Sequence, residues 1–134
     1  MKNFVLFLFT TAILVSCSSD DSSGNSNSPY SPPSWIHGTW GYDYSNSDSD
    51  LNFAVFRFTS DDVCQLPVSC WKEQIKEYPG VYTGSDSSTD FTYEVSFGSV
   101  GVGTTLTYTF EKISNTKILW IGDYSTDVEL VRLD

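Results

Sequence analysis

Phe91-Thr92-Tyr93-Glu94-Val95-Ser96-Phe97 puts an apolar side chain at every second position, with Thr, Glu and Ser between. A few residues on, Thr105-Leu106-Thr107-Tyr108-Thr109-Phe110-Glu111 repeats the pattern. Successive side chains of a strand point to opposite faces, so a period of two gives one apolar face and one wet face. Strands of this kind form antiparallel sheets with a core on one side and water on the other. Residues 98–103 lie between the two runs and carry the Gly and Ser that a turn needs.

The same reading extends outward. Thr39-Trp40-Gly41-Tyr42-Asp43-Tyr44 alternates again. Residues 51–58 are apolar almost throughout, broken by Asn52 and Arg57, and predict a strand covered on both faces. Residues 118–121 and 128–133 predict a closing hairpin whose turn starts at Gly122-Asp123. Turn-forming clusters at 45–50, 60–62, 84–90 and 114–115 punctuate the chain every 8–12 residues or so. One segment has a helical period instead. Ser69 suits an N-cap, Trp71, Ile75 and Tyr78 fall at i, i+4 and i+7, and Pro79-Gly80 stops the run. The expectation is an all-β fold: a small antiparallel up-and-down barrel of about seven or eight strands with one short helix near 69–78. A two-sheet sandwich is the alternative. A barrel also removes exposed sheet edges.

The N-terminal quarter reads differently. Met1-Lys2-Asn3 is a short basic start, and residues 4–15 are apolar apart from two Thr. With Ser16 before Cys17 this makes a secretory signal peptide over residues 1–16. The apolar run is too short to cross a bilayer as a helix. Leu14-Val15-Ser16-Cys17 resembles a bacterial lipobox, which implies that Cys17 becomes the mature N-terminus and carries lipid. Each buried methylene contributes about 0.8 kcal/mol, so two chains anchor stably where one holds only marginally. Asp20-Asp21, just behind Cys17, resembles the surface-export signal of Bacteroidota lipoproteins. That resemblance implies the outer membrane, with the cell surface favoured over the periplasmic face.

Residues 17–34 are rich in Ser, Asn, Asp and Pro, with Tyr30 as the one aromatic. Such a tract is expected to stay a disordered tether, reaching roughly 23 Å. The folded domain is then expected at residues 35–134. Of the 134 residues, a domain of this size excludes a TIM barrel and a two-domain dinucleotide enzyme. The net charge is −10, and losing Lys2 with the signal leaves 6 basic against 17 acidic residues, or −11. A phosphate backbone would be repelled, so nucleic acid is not an expected partner.

Gly38-Thr39-Trp40 is similar to the G-x-W element of lipocalins and their short bacterial relatives, a family in which the Trp plugs one end of the barrel. The strings at 33–40, 56–63 and 108–114 resemble small uncharacterised lipocalin-like lipoproteins of Bacteroidota. This resemblance implies a fold and an address but no activity.

Candidate chemistry is sparse. Cys64 and Cys70 are an even pair in an exported chain and are most simply a disulfide, contributing about 2 kcal/mol for so short a loop. Buried free thiols are the alternative, and the spacing is not that of a redox C-x-x-C pair. His37, the only histidine, has no nucleophile or orienting carboxylate placed around it by the sequence. Residues 46–52 carry oxygen ligands at alternate positions, but Leu51 stands where a calcium loop needs Gly and Arg57 where it needs Glu. A solvated loop is the better reading there and at 84–90. Glu94, Glu111 and Glu129 read as outward-facing. Neither a metal nor a cofactor is expected.

All 4 Trp, 7 of the 8 Tyr and 6 of the 9 Phe follow residue 34. They fill a core, or some of them, Trp40, Tyr42, Tyr93 and Tyr108, line a cavity for an apolar or flat ligand. The expected function is a membrane-anchored lipoprotein whose lipocalin-like domain binds a small apolar ligand. The alternative is a non-catalytic protein-interaction or structural lipoprotein of the outer membrane, of inhibitor or immunity type. Its partners would be the membrane, through the N-terminal lipid, and that ligand or a protein. Enzymatic activity is not expected.

Overall fold

The computed structural model describes residues 28–44, 53–122 and 126–134. The signal peptide, Cys17, the tether as far as residue 27, the loop at 46–52 and the turn residue Asp123 lie outside the described residues.

A short 3-10 turn at Ser34–Ile36 leads into β1 (Gly38–Gly41) and β2 (Ala54–Phe58). Then come β3 (Val63–Gln65), β4 (Ser69–Cys70) and the helix α1 (Trp71–Glu77). The rest is β5 (Tyr82–Ser88), β6 (Thr92–Ser99), β7 (Thr104–Lys112), β8 (Lys117–Ile121) and β9 (Val128–Arg132). These form one nine-stranded antiparallel sheet in the order β4-β3-β2-β1-β9-β8-β7-β6-β5. Two meanders, β1–β4 and β5–β9, meet where the first strand pairs with the last. The sheet curls into a half-barrel of the up-and-down, lipocalin-like kind. One continuous sheet replaces the sandwich alternative. The short helix falls where its period placed it.

The apolar positions of the alternating runs line up across the sheet. Tyr93, Phe110, Trp120 and Val128 form one row through β6, β7, β8 and β9; Val95 and Tyr108, then Phe97 and Leu106, follow it. These rows face the core. Burial then changes along the barrel axis. On β7 the inward positions run from Phe110, wholly buried, through half-buried Tyr108 to Leu106, 47% exposed. Trp40 gives way to Tyr42, Ile118 to Trp120, and Leu130 to Val128 in the same direction. Among the described residues one end of the barrel is therefore filled, and burial falls off toward the other, here called the open end.

Trp40 plugs the filled end. Its Nε1 donates to the Ile36 carbonyl at 2.7 Å, and the Arg132 guanidinium sits 4.4 Å from its ring centroid. Arg132 also donates to the carbonyls of Trp35, His37 and Asn115. Gly38 has φ 124°, and a Cβ there would run into the Arg132 guanidinium and the Asp134 carboxylate. The Gly of Gly38-Thr39-Trp40 thus makes room for the cation that covers the Trp.

The sheet leaves a seam between its edge strands. Helix α1 runs from β4 to β5 and packs against both, with Trp71 buried and stacked on Phe97. Below it, residues 28–33 strap the seam. Ser28 Oγ donates to the Asp61 carbonyl at 2.5 Å, and the Ser31 N–H to Asp86 Oδ2 at 2.5 Å. Tyr30 is 1% exposed; its hydroxyl donates to the Ser96 carbonyl at 3.1 Å and its ring meets Trp71. A Cβ on Gly84 would overlap that phenol. The disorder expected over 17–34 therefore does not hold for residues 28–34, because one aromatic finds a slot that the composition of the tract does not reveal.

Three other expectations change. Residues 84–88 belong to β5 rather than a loop, since the strap lies against the polar, inward side of this edge strand. Strand β2 buries Phe56 and Phe58 but leaves Arg57 exposed, so only one face is covered. Ser69 lies in β4 and does not cap α1; Cys70 holds the N-cap position without a side-chain bond. The cap comes from afar, with Asp62 Oδ1 accepting the N–H of Lys72 at 2.9 Å and of Val63 at 2.7 Å.

Candidate functional site

Of the four residues expected to line a cavity, the structure separates two from two. Trp40 and Tyr93 are wholly buried and have no surface left for a ligand. Trp40 is the plug, and Tyr93 lies in the core, edge-on to Phe58 and stacked with Phe110. Its hydroxyl donates to Asp86 Oδ2 at 2.9 Å. Burial, reinforced by the Asp86 carboxylate, holds the Tyr93 phenol well above the ordinary tyrosine range. Tyr30 is shifted the same way, mainly by burial and then by Asp62 and Asp86. Tyr42 and Tyr108 are half-buried and packed on the core toward the open end.

The floor beneath that end is aromatic. Phe56 meets Phe110 at 5.1 Å, Trp120 at 5.0 Å and Tyr108 at 5.7 Å, all edge-on. Packed beside them are Trp120, Phe97 and Val128, which the expected lining did not include. Trp120 was within reach of the sequence reading: Ile118 and Trp120 alternate with Leu119 and Ile121. Trp120 Nε1 is buried and has no hydrogen-bond partner among the described residues. An indole N–H can only donate, so this atom leaves one unanswered polar demand in a largely aromatic surface.

A second feature lies on the outward face. Cys64 and Cys70 are register partners across β3 and β4, and their sulfurs are bonded at 2.06 Å. Arg57, beside Cys64 in the register, brings Nη2 to 3.7 Å from each sulfur. The pair borders a cleft of about 380 Å³, lined also by Thr59, Asp61, Asp62, Lys72, Glu73 and Lys76. Lys72 pairs with Asp61, which lowers the Asp61 carboxyl below its usual range and raises the ammonium. Burial raises Asp62, against the pull of its two N–H donors. A carboxylate oxygen of Asp62 and the two sulfurs lie within 4.8 Å of one another, but the sulfurs are joined and offer no thiolate to a cation.

The remaining candidates are dispersed. His37 Nε2 is 2.8 Å from the Pro32 carbonyl at the filled end. Glu94, Glu111 and Glu129 are exposed on the outward face, and Glu129 pairs with Lys117 at 2.5 Å. Among the described residues no helix is long and apolar enough to cross a membrane. Comparison with protein-family models, with curated proteins and with solved structures finds no match to this chain.

Proposed function

We propose that the chain is a lipid-anchored bacterial lipoprotein whose lipocalin-like barrel binds a small apolar ligand at its open end and catalyses no reaction. The observation that carries this reading is the buried, unpartnered Nε1 of Trp120 in an aromatic wall. Leaving such a donor unanswered costs about 1–3 kcal/mol, which an acceptor on a ligand would recover. The ligand class is therefore flat or chain-like, apolar, and marked by one carbonyl, ether or carboxyl oxygen. The aromatic floor at Phe56 and Phe110 makes the site shallow. The lipobox-like Leu14-Val15-Ser16-Cys17 supports acylation of Cys17, and Asp20-Asp21 supports display at the surface of the outer membrane.

Titration with a fluorescent fatty acid and with a planar aromatic ketone tests the reading. Binding is expected to quench tryptophan emission, and Trp120→Phe, which keeps the ring face but removes the donor, is expected to weaken it about five- to tenfold. Equal affinity for the two proteins, or no binding of either probe, would overturn the proposal. A second reading has its own support. Tyr78, Val81, Val100, Val102 and Leu106 are exposed apolar side chains, with the Val100 N–H bonded to the Val81 carbonyl at 2.9 Å. Such a surface suits docking of another protein, as an inhibitor or immunity lipoprotein would require. Retention of both probes by a Val81→Ser, Val102→Ser variant would separate the two sites.

A further inference from the structure

The cleft beside the disulfide has a charge pattern that the rest of the chain does not share. Three of the six Lys and Arg that follow the signal line it, Arg57, Lys72 and Lys76, and they balance Asp61, Asp62 and Glu73 in a chain that is otherwise strongly acidic. Lys72 is committed to Asp61. Among the described residues neither Arg57 nor Lys76 has a carboxylate within ion-pair reach. Among the described residues the Arg57 guanidinium donates to the two sulfurs alone, which are weak acceptors. A guanidinium normally takes a planar oxyanion through its fork of donors. Here it points that capacity at a cleft and holds its charge over an S–S bond.

The two sulfurs are unequally accessible. Cys64 is 1% exposed, while Cys70 is half-buried at the cleft. Exchange requires a thiolate to reach one sulfur and the other sulfur to leave as a thiolate. A nearby cation favours the departing thiolate, and a thiol of lower pKa leaves faster. We propose that Cys64–Cys70 is a thiol-exchanging disulfide: a small thiol bearing carboxylates docks in this cleft, its thiolate attacks Cys70 Sγ, and Cys64 Sγ leaves beside Arg57. The attack forms a mixed disulfide on Cys70 and breaks the Cys64–Cys70 bond, whose electron pair stays on Cys64. A second thiolate attacks the external sulfur of that mixed disulfide and releases Cys70. Two external thiols are oxidised to one disulfide, and the protein gains two electrons as two thiols. The two protons that the external thiols lose pass through solvent to Cys64 and Cys70, and the Asp62 carboxylate, within 4.8 Å of both sulfurs, favours the protonated product over a lasting thiolate. The exchange is stoichiometric and independent of any ligand at the open end.

The test uses the full chain, purified oxidised, mixed with excess reduced glutathione at neutral pH, quenched by alkylation and read by intact and peptide mass spectrometry. 2-Mercaptoethanol is the uncharged comparison. A glutathione adduct on Cys70 is expected without denaturant. Arg57→Ala is expected to slow its formation roughly three- to tenfold, with Arg57→Lys retaining most of the rate. Lys76→Ala is expected to slow glutathione but not mercaptoethanol. Arg57 and Lys76 are exposed, so these variants keep the core, which near-ultraviolet circular dichroism verifies. An adduct on Cys64, an unchanged rate in Arg57→Ala, equal effects of Lys76→Ala on both thiols, or reduction only in urea would each overturn the proposal.

Discussion

Tyr30 lies in a tract of Ser, Asn, Asp and Pro, yet its ring fills the space that Gly84 leaves by having no side chain. Gly84→Ala is therefore expected to expel the ring and to destabilise the fold by about 2–4 kcal/mol, measured by urea denaturation. Tyr30→Ala is expected to cost a similar amount. The double variant should cost far less than the sum, because both changes remove the same contact. The two buried phenols also set a limit at high pH. An unfolded tyrosine loses its proton near pH 10, whereas Tyr30 and Tyr93 hold theirs to higher pH in the fold. The folded state then binds more protons, so stability is full below the ordinary tyrosine pKa and falls as pH rises above it. Ultraviolet titration should show two tyrosines that ionise only on unfolding. Asp62 obeys the same sign in acid. Its carboxyl is raised by burial, so stability falls as pH rises from the usual carboxylate range to its folded value, and is flat above. Asp62→Asn keeps an oxygen for the Lys72 and Val63 N–H groups and should flatten that slope in urea midpoints taken across acidic pH.

Strands β6 and β7, which alternate cleanly, were legible in the sequence, as were the closing pair β8 and β9 and the helix α1. Strand β5 was not, because its inward residues are Tyr82, Gly84, Asp86 and Ser88, which read as a turn. They are small and polar because a strap from far up the chain occupies their side of the seam, and no local pattern carries that information. Strands β3 and β4 span only Val63–Gln65 and Ser69–Cys70, too little for any period. The open end was half legible. A period of two says which face a side chain occupies but not how deep along the barrel axis it lies. Trp40, Tyr42, Tyr93 and Tyr108 all face inward, yet only Tyr42 and Tyr108 lie toward the open end. The bond between β3 and β4 has a measurable weight. Replacing Cys64 and Cys70 with Ser is expected to lower stability by about 2 kcal/mol in urea titrations, and to loosen α1, which follows Cys70 directly.

The half-barrel closes only with help from outside the sheet: α1 above and residues 28–33 below. Removing residues through 27 should leave the unfolding midpoint unchanged, whereas removing them through 34 should lower it and expose Gly84; thermal denaturation of the two truncated chains decides this. Residues 18–27 separate Cys17 from Ser28, the first described residue of the strap. With Cys17 acylated as proposed, the point of attachment is mechanical as well as spatial. Any drag on a membrane-held domain arrives first at Ser28, Tyr30 and Ser31, where the chain grips Asp61, Ser96 and Asp86 on opposite banks of the opening. A tug on the leash works on the zip itself, so the molecule yields along this line before the aromatic stack behind it feels the load.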